Sequence, residues 1–198
     1  MLETYYNKEK IEAGVDEAGR GCYAGPVFAA AVILPQNFYH PQLNDSKKIS
    51  SKTRALLRPI IESESIAFAV GMVDNSEIDQ VNILQATYKA MHIAIKKLSV
   101  LPELLLIDGN RFKPFQTIPH VCIVKGDGKF AAIAAASILA KTYRDDYMNK
   151  LHQKYSMYSW NKNKGYGTLS HRNAIKSYGL SEYHRKSFNI NPTEQLLF

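Results

Sequence analysis

Apolar residues in this chain come in short runs separated by polar turns. Ile11–Val15 is a short apolar run closing on Asp16-Glu17, which predicts a strand. A glycine-rich turn follows, with Gly19-Arg20-Gly21 and Gly25-Pro26. Val27–Leu34 is apolar throughout and stops at Pro35, as a buried strand does. Asn44–Ser51 is a polar loop, and Ser50 or Ser51 is placed to cap a helix through about Glu62. Ile66–Val73 predicts a third strand, with the three early strands forming an antiparallel meander. From Ser76 to Leu98 the positions Ile78, Val81, Ile83, Leu84, Tyr88, Met91, Ile95 and Leu98 fit helical spacing, in one or two pieces.

The second half alternates strand and helix patterns. Leu104–Ile107 ends at Asp108-Gly109, and Val121–Val124 ends at Gly126-Asp127-Gly128. Phe130–Tyr155 is a long helical pattern that begins with many alanines, whose small side chains let a helix lie close to a sheet. Asn161–Thr168 reads as a loop, and Ser170–Tyr178 as a short helix stopped by Gly179. The alternation predicts an α/β domain with some parallel pairing. One domain over residues 1–198 is expected, of which about 150–198 forms a basic helical extension.

Charge changes this picture. The formal net charge is +7, which favours polyanionic partners. From Lys141 to Phe198 there are ten Lys/Arg against four Asp/Glu, with seven of the twelve tyrosines and the lone Trp160. Cations interleaved with rings suit a nucleic-acid groove, and equally a solvated helix face. The longest apolar runs, Val27–Leu34 and Ala131–Ala140, fall short of the about 20 residues that cross a bilayer. The polar start, Met1–Lys10, lacks the apolar core of a signal peptide, so a cytoplasmic protein without membrane partners is expected. Cys22 and Cys122 read as buried reduced thiols.

The acids carry the chemistry. Three predicted strands end in carboxylates: Asp16-Glu17, Asp108 and Asp127. Strand ends are where α/β sheets form sites. Four carboxylates brought together repel unless a cation lies among them. Oxygen ligands without a His or Cys cluster favour Mg²⁺ or Mn²⁺, and such cations can activate water for phosphodiester cleavage. Each acid has a plainer reading. Asp16-Glu17 fits an exposed turn, Asp108-Gly109 a hairpin, and Asp127 the N-cap of the following helix. Asp145-Asp146 needs no more than pairing with Lys141 or Lys150.

A set of blocks then resembles the bacterial ribonuclease HII family. They are Gly14-Val15-Asp16-Glu17-Ala18-Gly19-Arg20-Gly21 with Gly25-Pro26-Val27, and Asn44-Asp45-Ser46-Lys47-Lys48-Ile49-Ser50. Ile107-Asp108-Gly109 and Lys125-Gly126-Asp127 follow, then Ala134–Lys141 with Arg144-Asp145. Gly165-Tyr166-Gly167-Thr168, His171 and His184-Arg185-Lys186-Ser187-Phe188 complete the set, in family order across nearly the whole chain. The resemblance implies a ribonuclease H-like mixed five-stranded sheet flanked by helices, with a C-terminal helical extension. It implies a metal site of Asp16, Glu17, Asp108 and Asp127, with Asp16 and Asp108 as direct ligands. It assigns substrate recognition to Gly19-Arg20-Gly21, sugar packing to Tyr166, and phosphate contacts to Lys47 and Lys48.

The implied reaction is metal-assisted hydrolysis 5′ to a ribonucleotide, in RNA–DNA hybrid or embedded in duplex DNA, by a monomer. Glycines allow close backbone approach to a sugar, and the 2′-hydroxyl is what distinguishes RNA from DNA. Taken singly, the Gly-x-Gly also fits a tight turn, Tyr166 a structural role, and the two lysines a solvated surface. A DNA-directed nuclease of the same fold and a non-catalytic nucleic-acid binder remain as alternatives. The first has no need to sense a 2′-hydroxyl. For the second, carboxylates facing phosphates weaken binding.

Overall fold

The computed structural model describes residues 2–46 and 48–190. Lys47 and the apolar end Leu196-Leu197-Phe198, for which a partner-binding role is one reading, lie outside the described residues. Five strands form one sheet: β1 (Glu12–Ala18), β2 (Val27–Ile33), β3 (Ala67–Val73), β4 (Leu104–Asp108) and β5 (His120–Ile123), in the order β3-β2-β1-β4-β5. The first three pair antiparallel, as the expected meander. β1–β4 and β4–β5 are parallel. The Asp108-Gly109 hairpin reading is therefore wrong: β4 and β5 run the same way, and a two-residue turn cannot join parallel strands.

Helices cover both faces. α1 (Ser51–Glu64) is capped by the Ser50 side chain, which accepts from the Thr53 amide. The Ser76–Leu98 pattern is two helices, α2 (Asn75–Val81) and α3 (Ile83–Lys96), split at Asn82 with φ 68°. α4 (Ala131–Lys154) crosses the opposite face, and every residue from Ala131 to Ala140 is buried. Alternation along β1 sends Ala13 and Val15 into the core shared with α3. Gly14 and Asp16 face α4. A Cβ on Gly14 would lie 2.2 Å from the Ala132 carbonyl carbon, so the helix backbone rests on the strand backbone. Gly71 on β3 serves the other face: a Cβ there would meet the Ala90 carbonyl oxygen at 2.1 Å.

The C-terminal part adds α5 (Trp160–Asn163) and α6 (Leu169–Tyr178), the latter ended by Gly179. α5 corrects the loop reading of Asn161–Thr168 at its start. Most of the aromatics there do not form a stacking platform. Trp160 and Tyr158 are buried and stacked on each other, 5.0 Å between centroids, in a small core with Ala24, Met148 and Leu151. A chain segment with little aliphatic content uses its rings to fill that core. Cys22 is buried and Cys122 half-buried, both as free thiols. Lys141 pairs with Asp145, as expected, while Asp146 pairs with Arg58 of α1.

Gly14→Ala is expected to destabilise the fold by at least about 2 kcal/mol, because the clash is with backbone. Gly128→Ala, whose Cβ meets nothing within 4 Å, is expected to stay within about 0.5 kcal/mol of wild type. Urea unfolding of both variants checks the pair.

Candidate active site

The sheet brings the acids together by register. β1 and β4 pair in parallel with Val15 opposite Ile107, so Asp16 and Asp108 follow side by side. Asp108 has the parity of Leu104 and Leu106 and so shares the α4 face with Asp16. Asp16 and Glu17 are not in a turn after the strand. Both lie within β1, which runs on to Ala18 because it pairs with β2 along its full end. Alternation turns Glu17 to the α3 side, where it meets Arg20 at 3.1 Å.

Asp16 is buried, with the Ser137 hydroxyl in hydrogen-bonding reach and its Oδ1 accepting the Glu17 amide at 2.7 Å. Burial first, then the negative charges of Glu17 and Asp108, push its carboxyl well above the usual carboxylate range. Ser137 in turn meets Ser46 at 2.8 Å, which ties the Asn44–Ser50 loop to the acid. Asp108 Oδ1 accepts the Gly126 amide at 2.7 Å. Asp127, the next residue, is buried on a 3-10 turn, Gly126–Gly128. It does not cap α4: Phe130 stands at the N-cap position, with no side-chain hydrogen bond. The intervening turn sets Asp127 three residues too early.

A hollow of about 390 Å³ gathers Asp16, Glu17, Asp108, Gly19, Arg20, Gly21 and Tyr166. Ser46, Arg54, Ser137 and Lys141 line it as well and were not anticipated. Asp127 and the exposed Lys48 do not line it. Among the described residues, no three His, Cys, Asp or Glu side chains are grouped closely enough, as they stand, to hold a metal ion.

Two groups within the family blocks, to which the sequence assigned no role, lie beside the hollow. Arg144 and Arg185 are fully buried and bond to backbone carbonyls. His171 and His184 meet at 3.1 Å. Trp160 Nε1–H donates to His171 Nε2 at 3.0 Å, and His171 Nδ1 contacts the Tyr166 carbonyl at 2.9 Å. That carbonyl requires the proton on Nδ1, so His171 is the neutral Nδ1–H tautomer. Burial holds both imidazoles below their ordinary range, and with His171 beside it His184 is pushed down to about 4. The spacing of the arginines carried no signal. Burial of a long basic side chain depends on carbonyls that are distant in sequence.

A mixed sheet in this order, with paired acids at the β1–β4 junction and helices on both faces, defines a ribonuclease H-like nuclease. The ribonuclease HII family model matches residues 13–191. Ribonuclease HII of Parabacteroides distasonis is 61% identical over 196 residues, covering 99% of this chain and 98% of that protein. The Bacteroides thetaiotaomicron protein of that name is 59% identical over the same shares. The crystal structure of ribonuclease H2 from Pyrococcus horikoshii OT3 superposes with a TM-score of 0.73 at 25% identity, covering 90% of this chain and 94% of that one. The Mn²⁺ complex of Bst-RNase HIII has a TM-score of 0.64 at 18% identity, covering 90% and 67%. The chain belongs to the ribonuclease HII family.

An acid with a raised folded pKa holds its proton longer in the folded chain. Stability then falls as pH rises from the ordinary carboxylate range through the raised value. Metal-free Asp16→Asn is therefore expected to melt higher than wild type at pH 7–8, each kcal/mol relieved appearing as about 2–4 °C. The gain should vanish as pH falls below about 4, where both states carry the proton. Thermal melts across pH in chelator check this. A lower melting temperature at pH 8 would contradict it.

Proposed function

We propose that this ribonuclease hydrolyses the phosphodiester 5′ to a ribonucleotide, in RNA–DNA hybrid and at single ribonucleotides in duplex DNA, leaving 3′-hydroxyl and 5′-phosphate ends. The observation that carries the proposal is the shared hollow: the acids and the Gly19-Arg20-Gly21 loop with Tyr166 line one cavity. Chemistry and ribose sensing then occur within one nucleotide of each other. The oxygen-only donor set fits a hard divalent cation, and burial together with the charges of Glu17 and Asp108 raises the Asp16 carboxyl. Asp16, Asp108 and Glu17 would hold Mn²⁺ or Mg²⁺, with Asp127 completing the second-metal side behind Asp108. When bound, the cation supplies water activation and charge neutralisation at the departing oxygen.

The chain's own groups do the rest. Amides of Gly19-Arg20-Gly21 bond the 2′-hydroxyl. The Tyr166 ring, 42% exposed, packs on the neighbouring sugar. Glu17 must release Arg20 to face the cation, which frees Arg20 for a phosphate. Lys47, Lys48 and the hollow's Lys141 add phosphate contacts. The enzyme acts as a cytoplasmic monomer.

Incubation with a DNA duplex carrying one ribonucleotide, in Mg²⁺ or Mn²⁺, tests this. Cleavage 5′ to the ribonucleotide is expected, with an all-DNA duplex left whole. Cutting of both duplexes would favour a DNA nuclease, and cutting of neither a binder. Asp16→Asn is expected to lose cleavage by at least about a hundredfold and still bind hybrid in gel-shift assays. Metal-dependent cutting retained by that variant would overturn the assignment of Asp16. Mn²⁺ near 100 times its Kd should also stabilise wild type by about 2.7 kcal/mol, and Asp16→Asn less.

A further inference from the structure

The recognition loop rests on two buried cations. Arg185 Nη1 donates to the Arg20 carbonyl at 2.7 Å, Nη2 to the Gly19 carbonyl at 2.7 Å, and Nε to the Gly25 carbonyl at 3.0 Å. Arg144 donates to the carbonyls of Pro26, Ala24 and Lys164 at 3.0, 3.1 and 2.8 Å. Among the described residues neither guanidinium has a carboxylate within ion-pair distance. A buried cation without a counter-ion is costly, and here backbone dipoles take the counter-ion's place. An apolar side chain in either place would leave three carbonyls without their donor, so each guanidinium fixes the backbone it bonds.

We infer that Arg185 is a positioning residue for ribose recognition, whose fork pulls the Gly19 and Arg20 carbonyls inward and thereby aims the next two amides at the substrate. The inference rests on the role proposed above for this loop. In a trans peptide the C=O of one residue and the N–H of the next point in opposite directions, and the chain has no cis peptide among the described residues. With the Gly19 and Arg20 carbonyls held inward, the Arg20 and Gly21 amides point outward. Neither of these N–H groups has a hydrogen-bond acceptor among the described residues. They are donors held in place without an internal partner, at the rim of the hollow that holds the acids.

The fork is itself fixed. The Arg185 amide donates to the Tyr23 carbonyl at 2.8 Å, inside the same loop. The next two residues are held by Asp79 of α2, which accepts the Lys186 and Ser187 amides at 2.9 Å each. Asn75 of α2 donates to the Glu182 carbonyl at 2.8 Å. Arg144 closes the device from below: it lies where a Gly19 Cβ would be, 2.0 Å from its Nε, and its guanidinium carbon is 5.9 Å from the Tyr166 ring centroid. Both parts that touch the sugar thus rest on the buried guanidinium pair.

The test measures the ratio of Kd for all-DNA duplex to Kd for the duplex with one ribonucleotide, in chelator so that nothing is cut. Arg185→Gln is expected to lower that ratio by about tenfold or more, the scale of one charge-assisted hydrogen bond. The all-DNA Kd should stay within about twofold. Arg185→Lys, which keeps the charge and one bond, should fall between Arg185→Gln and wild type. Added guanidinium should restore part of the ratio to Arg185→Ala. A merely structural role would lower the melting temperature and weaken both duplexes together, leaving the ratio unchanged, and that result overturns the inference. If the Gln and Ala variants do not fold, Arg185→Lys decides: an unchanged ratio in it overturns the inference. A wild-type protein without any preference for the ribonucleotide removes the functional reading, and this inference with it.

Discussion

The backbone-on-backbone contact between Gly14 of β1 and Ala132 of α4 sets the geometry of everything around the site. It lets a 24-residue helix lie against the strand that carries the acids. With its alanine half fixed there, the rest of α4 acts as a ruler. Ser137, Lys141, Arg144 and Met148 are spaced four, three and four residues apart, which is one helical stripe. Ser137 reaches Asp16, Lys141 lines the hollow, Arg144 lies under Gly19, and Met148 lies where a Gly25 Cβ would be. One helix therefore sets the distance between the acids and the Gly19-Arg20-Gly21 loop.

Opposed charge organises the same region. Acids crowd the end of β1 and β4, and burial with mutual repulsion raises Asp16. The buried guanidiniums of Arg144 and Arg185 sit on the other side of the loop, bonded to carbonyls rather than carboxylates. The separation fits the proposed metal role: a guanidinium paired directly with Asp16 or Asp108 would occupy the oxygens a cation would need. Glu17 meets Arg20 at 3.1 Å, and Arg20 is half exposed there, with room to turn outward.

Much of this was legible in the sequence because it is local. Strand runs, the Ser50 cap, the alanine-rich helix and the acids in their blocks all appear in short windows. Parallel pairing of β1 with β4, which makes Asp16 a neighbour of Asp108, joins residues about ninety apart and leaves no periodic trace. The aromatic, basic C-terminal third looked like a binding face, yet Trp160 and Tyr158 are core, and Arg185 bonds to residues 165 and 166 positions away. His171 and His184, thirteen apart, meet only because α6 and the following turn fold back on Trp160. The N-cap alternative for Asp127 fails because a 3-10 turn intervenes before α4. Long-range hydrogen bonds and the inside or outside of a basic segment are decided by tertiary packing alone.

Acids, loop and Tyr166 are proposed to form one ribose-reading active site. A crystal structure of Asp16→Asn with a DNA duplex bearing a single ribonucleotide tests it most directly. The account predicts the 2′-hydroxyl within hydrogen-bond distance of the Arg20 or Gly21 amide, the phosphate 5′ to that ribonucleotide beside Asp108, and the Tyr166 ring against the adjacent sugar. A duplex seated instead along the α1–α4 groove lined by Arg58 and Lys162, with the Gly19-Arg20-Gly21 amides facing water, would contradict it.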